Sequence, residues 1–174
     1  MKFFTADRYA SLSAEQDDFE IFRRTWEAYI KHLKTLEGVL PDHVLELAKP
    51  SGVENGLLVR VRHHRARRVL KLVLRCGDIP TGYYDLLLTY RGAAISPEHD
   101  RVLAAVAAGT SSVRHEFDLD SHELDVTEDG EIEHRLLFHP GVWLAIRCRS
   151  LEWARGPRPN RRLPRIKNRY PEGP

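Results

Sequence analysis

Cysteine is almost missing from this chain: Cys76 and Cys148 are the only two in 174 residues. Their separation offers neither a paired metal motif nor a disulfide framework, so both thiols are expected reduced and buried. Long apolar runs are absent as well. No window approaches the ~18–20 residues that cross a bilayer as a helix, and the opening MKFFTADRYASL lacks the apolar stretch of a signal peptide. The expectation is a soluble, cytoplasmic chain with no membrane contact. Catalytic signatures are missing too. There is no HExxH, no GxSxG and no glycine-rich phosphate loop, and Asp118–Glu123 has neither the glycine nor the spacing of a calcium loop. The reading therefore leans away from an enzyme, with no metal and no cofactor expected.

What is present is ordinary globular material, 42% hydrophobic and 30% charged, with a formal net charge of +2. A chain of this length buries roughly 70% of its unfolded surface and needs no staple. Residues 1–154 read as one domain. Residues 155–174, rich in proline and basic side chains, read as a tail with little apolar content.

Ser13-Ala14-Glu15-Gln16 is a capping box. From there Phe19, Phe22, Trp26, Tyr29, Leu33, Leu36 and Leu40 recur at steps of three and four, the apolar stripe of a helix ending near Gly38. Four aromatics in that stripe favour packing on the protein's own sheet over a partner helix. Pro41 opens a short second helix to about Ala48, stopped by Lys49-Pro50. After Gly56 the period becomes two. Leu57, Val59 and Val61 alternate with Leu58, Arg60 and Arg62, and Leu70, Leu72 and Leu74 alternate with Val69, Lys71 and Val73. A third strand follows at Tyr83–Arg91, and Ser96-Pro97 caps a helix running to about residue 108.

The C-terminal alternation predicts a register. Glu128-Asp129-Gly130 makes a three-residue hairpin loop that pairs Val126 with Ile132, Leu124 with His134 and Asp125 with Glu133. An odd loop centred on Pro140 then pairs Leu136 with Leu144 and His134 with Ile146. On the outer face Glu133 is expected beside Arg147, and Glu131 beside Arg149. Read as one continuous strand, residues 142–153 put Trp143 and Trp153 together on that charged face, where they are the candidate interface for a protein partner or a second copy.

Charge is segregated. Residues 60–75 hold seven basic side chains and no acid, while residues 116–133 hold nine acids and no Lys or Arg. The tail adds Arg158, Arg161, Arg162, Arg165, Lys167 and Arg169, candidate contacts to a polyanion. Together with Arg60–Arg75 they allow nucleic-acid association, although no aromatic is interleaved there as a base-stacking platform requires. Among the nine histidines, His63 and His64 are consecutive in a strand and point to opposite faces. His134 faces inward between Leu124 and Ile146, where a pocket would make it a centre for a small-molecule enzyme or binder.

The opening MKFFTADRY and the later VTEDGEIEHRLLFHPGVWLAIRCRSLEW resemble segments of small bacterial proteins of uncharacterised function. These begin with an MK-aromatic leader and a helix and end in a sheet with a DG turn, a histidine and an apolar LLF run. The resemblance implies a bacterial, cytoplasmic α+β protein and assigns no residue a role. The expected architecture is α+β, an N-terminal helical hairpin on a mainly antiparallel sheet of six or seven strands, with one further helix near 97–108. The expected function is a non-enzymatic binding or protein-interaction domain.

Overall fold

The period-two stretches form strands and the period-3.6 stretches form helices. A computed structural model describes residues 2–5, 18–49, 53, 56–78, 82–107, 118–138 and 142–158. Its strands are β1 (Gly56–His64), β2 (Val69–Asp78), β3 (Gly82–Arg91), β4 (Ala94–Ile95), β5 (Asp118–Val126), β6 (Ile132–Phe138), β7 (Val142–Cys148) and β8 (Ser150–Arg158). The helices are α1 (Asp18–Thr35), α2 (Asp42–Ala48) and α3 (Pro97–Ala107). All eight strands belong to one antiparallel sheet in the order β4-β7-β6-β5-β1-β2-β3-β8.

The α+β class is as expected, and two details differ. Eight strands appear instead of six or seven because two long strands are each bent. β3 passes into β4 at Gly92-Ala93, where Gly92 has φ 69°, and β7 passes into β8 at Arg149. The ladder continues across both bends: Arg91 pairs with Ser150, Ala94 with Arg147, and the Arg149 N–H donates to Arg91 O at 2.9 Å. The sheet consequently rolls on itself. The circuit runs from β1 through β2, β3 and β8, round the bend to β7, then through β6 and β5 back to β1.

The second difference is the missing helical hairpin. Gly38, at φ 76°, turns the chain after α1, and the two-turn α2 lies against β8 and β5. Val44, Leu45, Leu47 and Ala48, its whole apolar side, are buried. So short a helix has no second face for α1.

Inside the roll, Leu58, Leu70, Leu72, Leu74, Leu86 and Leu88 from one half meet Leu124, Leu136, Leu144 and Ile146 from the other, each at most 2% exposed. Burying each such side chain is worth about 1.5–3 kcal/mol. The C-terminal register is the one read from the turns: Val126 faces Ile132, Leu124 faces His134, Leu136 faces Leu144 and His134 faces Ile146. Gly130 takes φ 77° in the hairpin loop. β1 departs from the simple alternation. A bulge between Leu58 and Arg60 shifts the phase, so Leu58 and Val61 face inward while Leu57, Arg60 and Arg62 face out.

Among the described residues β1 and β5 pair at Gly56–Leu119 and Leu57–Asp118. α1 lies against β5 beyond these pairs. Tyr29 is fully buried, and its hydroxyl accepts the Leu124 N–H at 2.8 Å. Leu33, Leu36 and Leu40 continue the buried stripe, whereas Ile21 and Phe22 near the start of α1 stand 42% and 38% exposed. At the other end of the domain, β8 runs to Arg158, four residues past the boundary expected after Ala154. Pro157 fits there because an edge strand can spare an N–H.

Candidate functional site

Four strands present one outer face, and three cross-strand rows define it. Leu57, Arg75, Asp85 and Gly156 form the first; Arg60, Val73, Leu87 and Ala154 the second; Arg62, Lys71, Thr89 and Glu152 the third. The cleft over these rows has a volume of about 680 Å³ and takes in Arg60, Arg62, Lys71, Arg75 and Arg155 against a single acid, Asp85. Its middle row is an aliphatic floor of Val73, Leu87 and Ala154.

The cations of this face differ in their state. Arg75 is half-buried and bonds Asp85 at 3.2 Å. Arg155 borders the cleft but pairs with Leu86 in an inward-facing row, and it lays its guanidinium over the rings of Tyr84 at 5.0 Å and Trp153 at 5.6 Å on that side of the sheet. Arg60 and Arg62 are exposed and enter no ion pair among the described residues. The bulge is the reason they face out while Leu58 turns in. The three other arginines of the basic stretch lie in the β1–β2 connection, where Arg65 pairs with Asp100 of α3 and Arg68 donates to Gly92 O at 3.0 Å.

Of the C-terminal acids, Asp118 pairs with Leu57 at the end of the first row, while Glu123, Asp125 and Glu133 are occupied elsewhere, on the outer side of β5, β6 and β7. The Glu123 carboxylate, 1% exposed, accepts the backbone N–H groups of Lys2 at 2.8 Å, Phe3 at 2.6 Å and Phe4 at 2.6 Å. Arg135 reaches Glu123 at 3.4 Å and Asp125 at 3.5 Å, and pairs with Glu133. Arg147 bonds Glu133 at 2.9 Å, the cross-strand pair read from the register. Burial would raise the Glu133 carboxyl, but Arg147 and Arg135 outweigh it and hold it below its ordinary value. The expected Glu131–Arg149 pair is not formed among the described residues, because β6 starts at Ile132 and Arg149 sits in the bend.

His134 lies in the interior. Tyr90 Oη is 2.8 Å from its Nδ1, and His122 Nδ1 is 3.1 Å from its Nε2. Burial pushes His122 down to about 4 and His134 well below the ordinary imidazole value, with His122 adding to the latter shift. All three residues are at most 3% exposed, and neither cleft described here reaches them. The second cleft, about 570 Å³, is lined by His99, Glu133, Arg135, Trp143 and Arg147 among others.

The two candidate interface tryptophans part company. Trp143 is 40% exposed on the outer face of β7, edge-on to His99 at 4.7 Å. Trp153 belongs to β8 and shares the inward row of Leu72 and Leu88. Its Nε1–H donates to His43 O at 2.5 Å, beneath α2. The Arg149 bend separates them, so they make no joint patch. Of the tail candidates, Arg158 is paired by its backbone to Tyr83, and Arg161, Arg162, Arg165, Lys167 and Arg169 lie outside the described residues.

Among the described residues no group of three or more His, Cys, Asp or Glu is placed to hold a metal ion. No helix there is long and apolar enough to cross a membrane. The thiol of Cys148 is pushed up to about 12 by burial, which suits a packing residue. Comparison of the chain with protein-family models, with curated proteins and with solved structures gives no match.

Proposed function

We propose that the protein is a non-enzymatic binding domain and that its site is the basic cleft on the outer face of β1, β2, β3 and β8. The observation that carries this reading is the pair Arg60 and Arg62. Both are exposed and uncompensated among the described residues, beside an aliphatic floor. Surface cations that serve only solubility are normally interspersed with acids, and among the described residues the three outer rows hold only Asp85 and Glu152 beside Arg60, Arg62, Lys71 and Arg75. The polar groups elsewhere are committed to structure: Glu123 to the leader, Glu133 to two arginines, His134 to Tyr90 and His122.

Titrating the full chain with poly-L-glutamate at several salt concentrations tests the reading. Wild-type protein should bind with an affinity that falls as salt rises, and Arg60→Glu with Arg62→Glu should weaken it at least tenfold. Equal affinity in the double variant would remove the cleft from consideration.

A further inference from the structure

Resting on that reading, we infer that the occupant of the cleft is a short, extended acidic segment of a protein partner that also carries aliphatic side chains. The argument is geometric. Neighbouring strands lie about 4.8 Å apart, so the row from Arg60 through Val73 and Leu87 to Ala154 spans roughly 14 Å. Four or five extended residues, at about 3.3 Å each, cover that length. The flanking rows lie about 6.7 Å to either side, two residues along the strands. Arg75 stands on one side of the floor, Arg62 and Lys71 on the other, and Arg60 at its end. Lysine and arginine carry their charge on long apolar stems. They can lie along the floor while their heads meet carboxylates above it.

Nucleic acid fits this surface less well. Single strands are held by aromatic platforms as well as by cations, and no aromatic side chain lines the cleft. The nearest rings, Tyr84 and Trp153, belong to inward rows and have Arg155 stacked over them. An aliphatic strip is of no use to a sugar–phosphate backbone, which has no apolar side chain to place there. For a peptide it supplies the desolvated contact that sorts one acidic sequence from another.

Three probes of equal charge separate the possibilities, followed by fluorescence anisotropy with the full chain: a capped peptide of glutamate and leucine, its counterpart with serine for leucine, and oligothymidylate. The leucine peptide should bind at least tenfold tighter than either of the others. Leu87→Thr, with circular dichroism and thermal unfolding confirming its fold, should bring it down to the serine level. Amide-shift mapping on the wild-type protein, which needs no variant, should place the changes at Val73, Leu87 and Ala154. Three results would overturn the inference and leave the basic cleft standing. They are oligothymidylate binding as tightly as the leucine peptide, no preference for leucine over serine, and a salt-dependent dimer of the chain itself that Arg60→Glu with Arg62→Glu abolishes. Failure of every probe and of poly-L-glutamate would overturn the cleft reading too.

Discussion

The hydroxyl of Tyr90, at the end of β3, meets Nδ1 of His134, in the middle of β6, at 2.8 Å inside the rolled sheet. These strands are not neighbours in the sheet order, so the bond ties one half of the roll to the other across its core. A neutral imidazole has one donor and one acceptor. If Tyr90 O–H donates to Nδ1, then Nε2–H of His134 donates to His122 Nδ1, and no hydroxyl proton is left without an acceptor. The reverse order would strand that proton in the core. The arrangement satisfies a buried polar chain without any charge, and it requires both imidazoles to stay neutral.

That requirement makes the fold acid-sensitive. Both histidines have folded values depressed by burial, so the unfolded chain binds protons first as pH falls through about 6.5. Their contribution to stability is complete above that pH and is lost as pH falls through the folded values, about 4 for His122. The slope reaches about 1.4 kcal/mol per pH unit for each histidine between those limits. Urea unfolding between pH 4.5 and pH 7.5 should show midpoints rising with pH, and His122→Leu should flatten the rise. A wild-type profile level across this window would mean that the rings protonate within the native fold.

Gly77 and Gly130 offer a matched pair. Both have positive φ, 92° and 77°. A Cβ on Gly77 would stand 2.2 Å from the carbonyl oxygen of Gly82, while one on Gly130 would meet nothing within 4 Å. Gly130→Ala should therefore cost only the left-handed conformation, about 1–2 kcal/mol. Gly77→Ala adds a backbone collision at the β2–β3 connection and should cost about 2–4 kcal/mol. Denaturant midpoints of the two variants measure the difference, and equal losses would show that the connection yields freely.

How much of this was readable beforehand depends on what each feature leaves in a sequence. The register from Leu124 to Ile146 was legible because Gly130 fixes one loop and alternation admits only an odd loop around Pro140. The inside of β1 was not. Its bulge at Val59 leaves no mark among Leu57, Leu58, Val59 and Val61, all apolar, yet it decides that Arg60 and Arg62 stand outside while Leu58 turns in. The bend at Arg149 left only a faint mark, the change of phase from Arg147, Cys148 and Arg149 to Leu151 and Glu152. Misreading it placed Trp153 beside Trp143. The basic stretch was visible as composition. Its cleft was not, because Leu87, Asp85 and Ala154 come from strands whose order no local pattern encodes.

Lys2, Phe3 and Phe4 are too few to show any period, and their part in the fold appears only through Glu123. Its carboxylate takes three consecutive backbone N–H groups, while the Phe3 ring packs on Tyr29 at 5.4 Å and the Phe4 ring on Trp26 at 5.0 Å. The leader thus fastens α1 to β5 beyond the Gly56–Leu119 pair with β1. Glu123→Ala would leave those N–H groups without their acceptor and Arg135 with one partner fewer, in a place water reaches poorly. Loss of a buried charge partner costs about 3–5 kcal/mol, and a similar loss is expected here. Glu123→Gln keeps one acceptor oxygen and should lose less. Urea unfolding measures the stability, and hydrogen exchange of the N-terminal peptide reports the leader itself, whose amides should exchange faster in Glu123→Ala. Should that variant unfold like the wild type with the leader's exchange unchanged, the clasp would be a bystander and α1 would be held by its own apolar stripe alone.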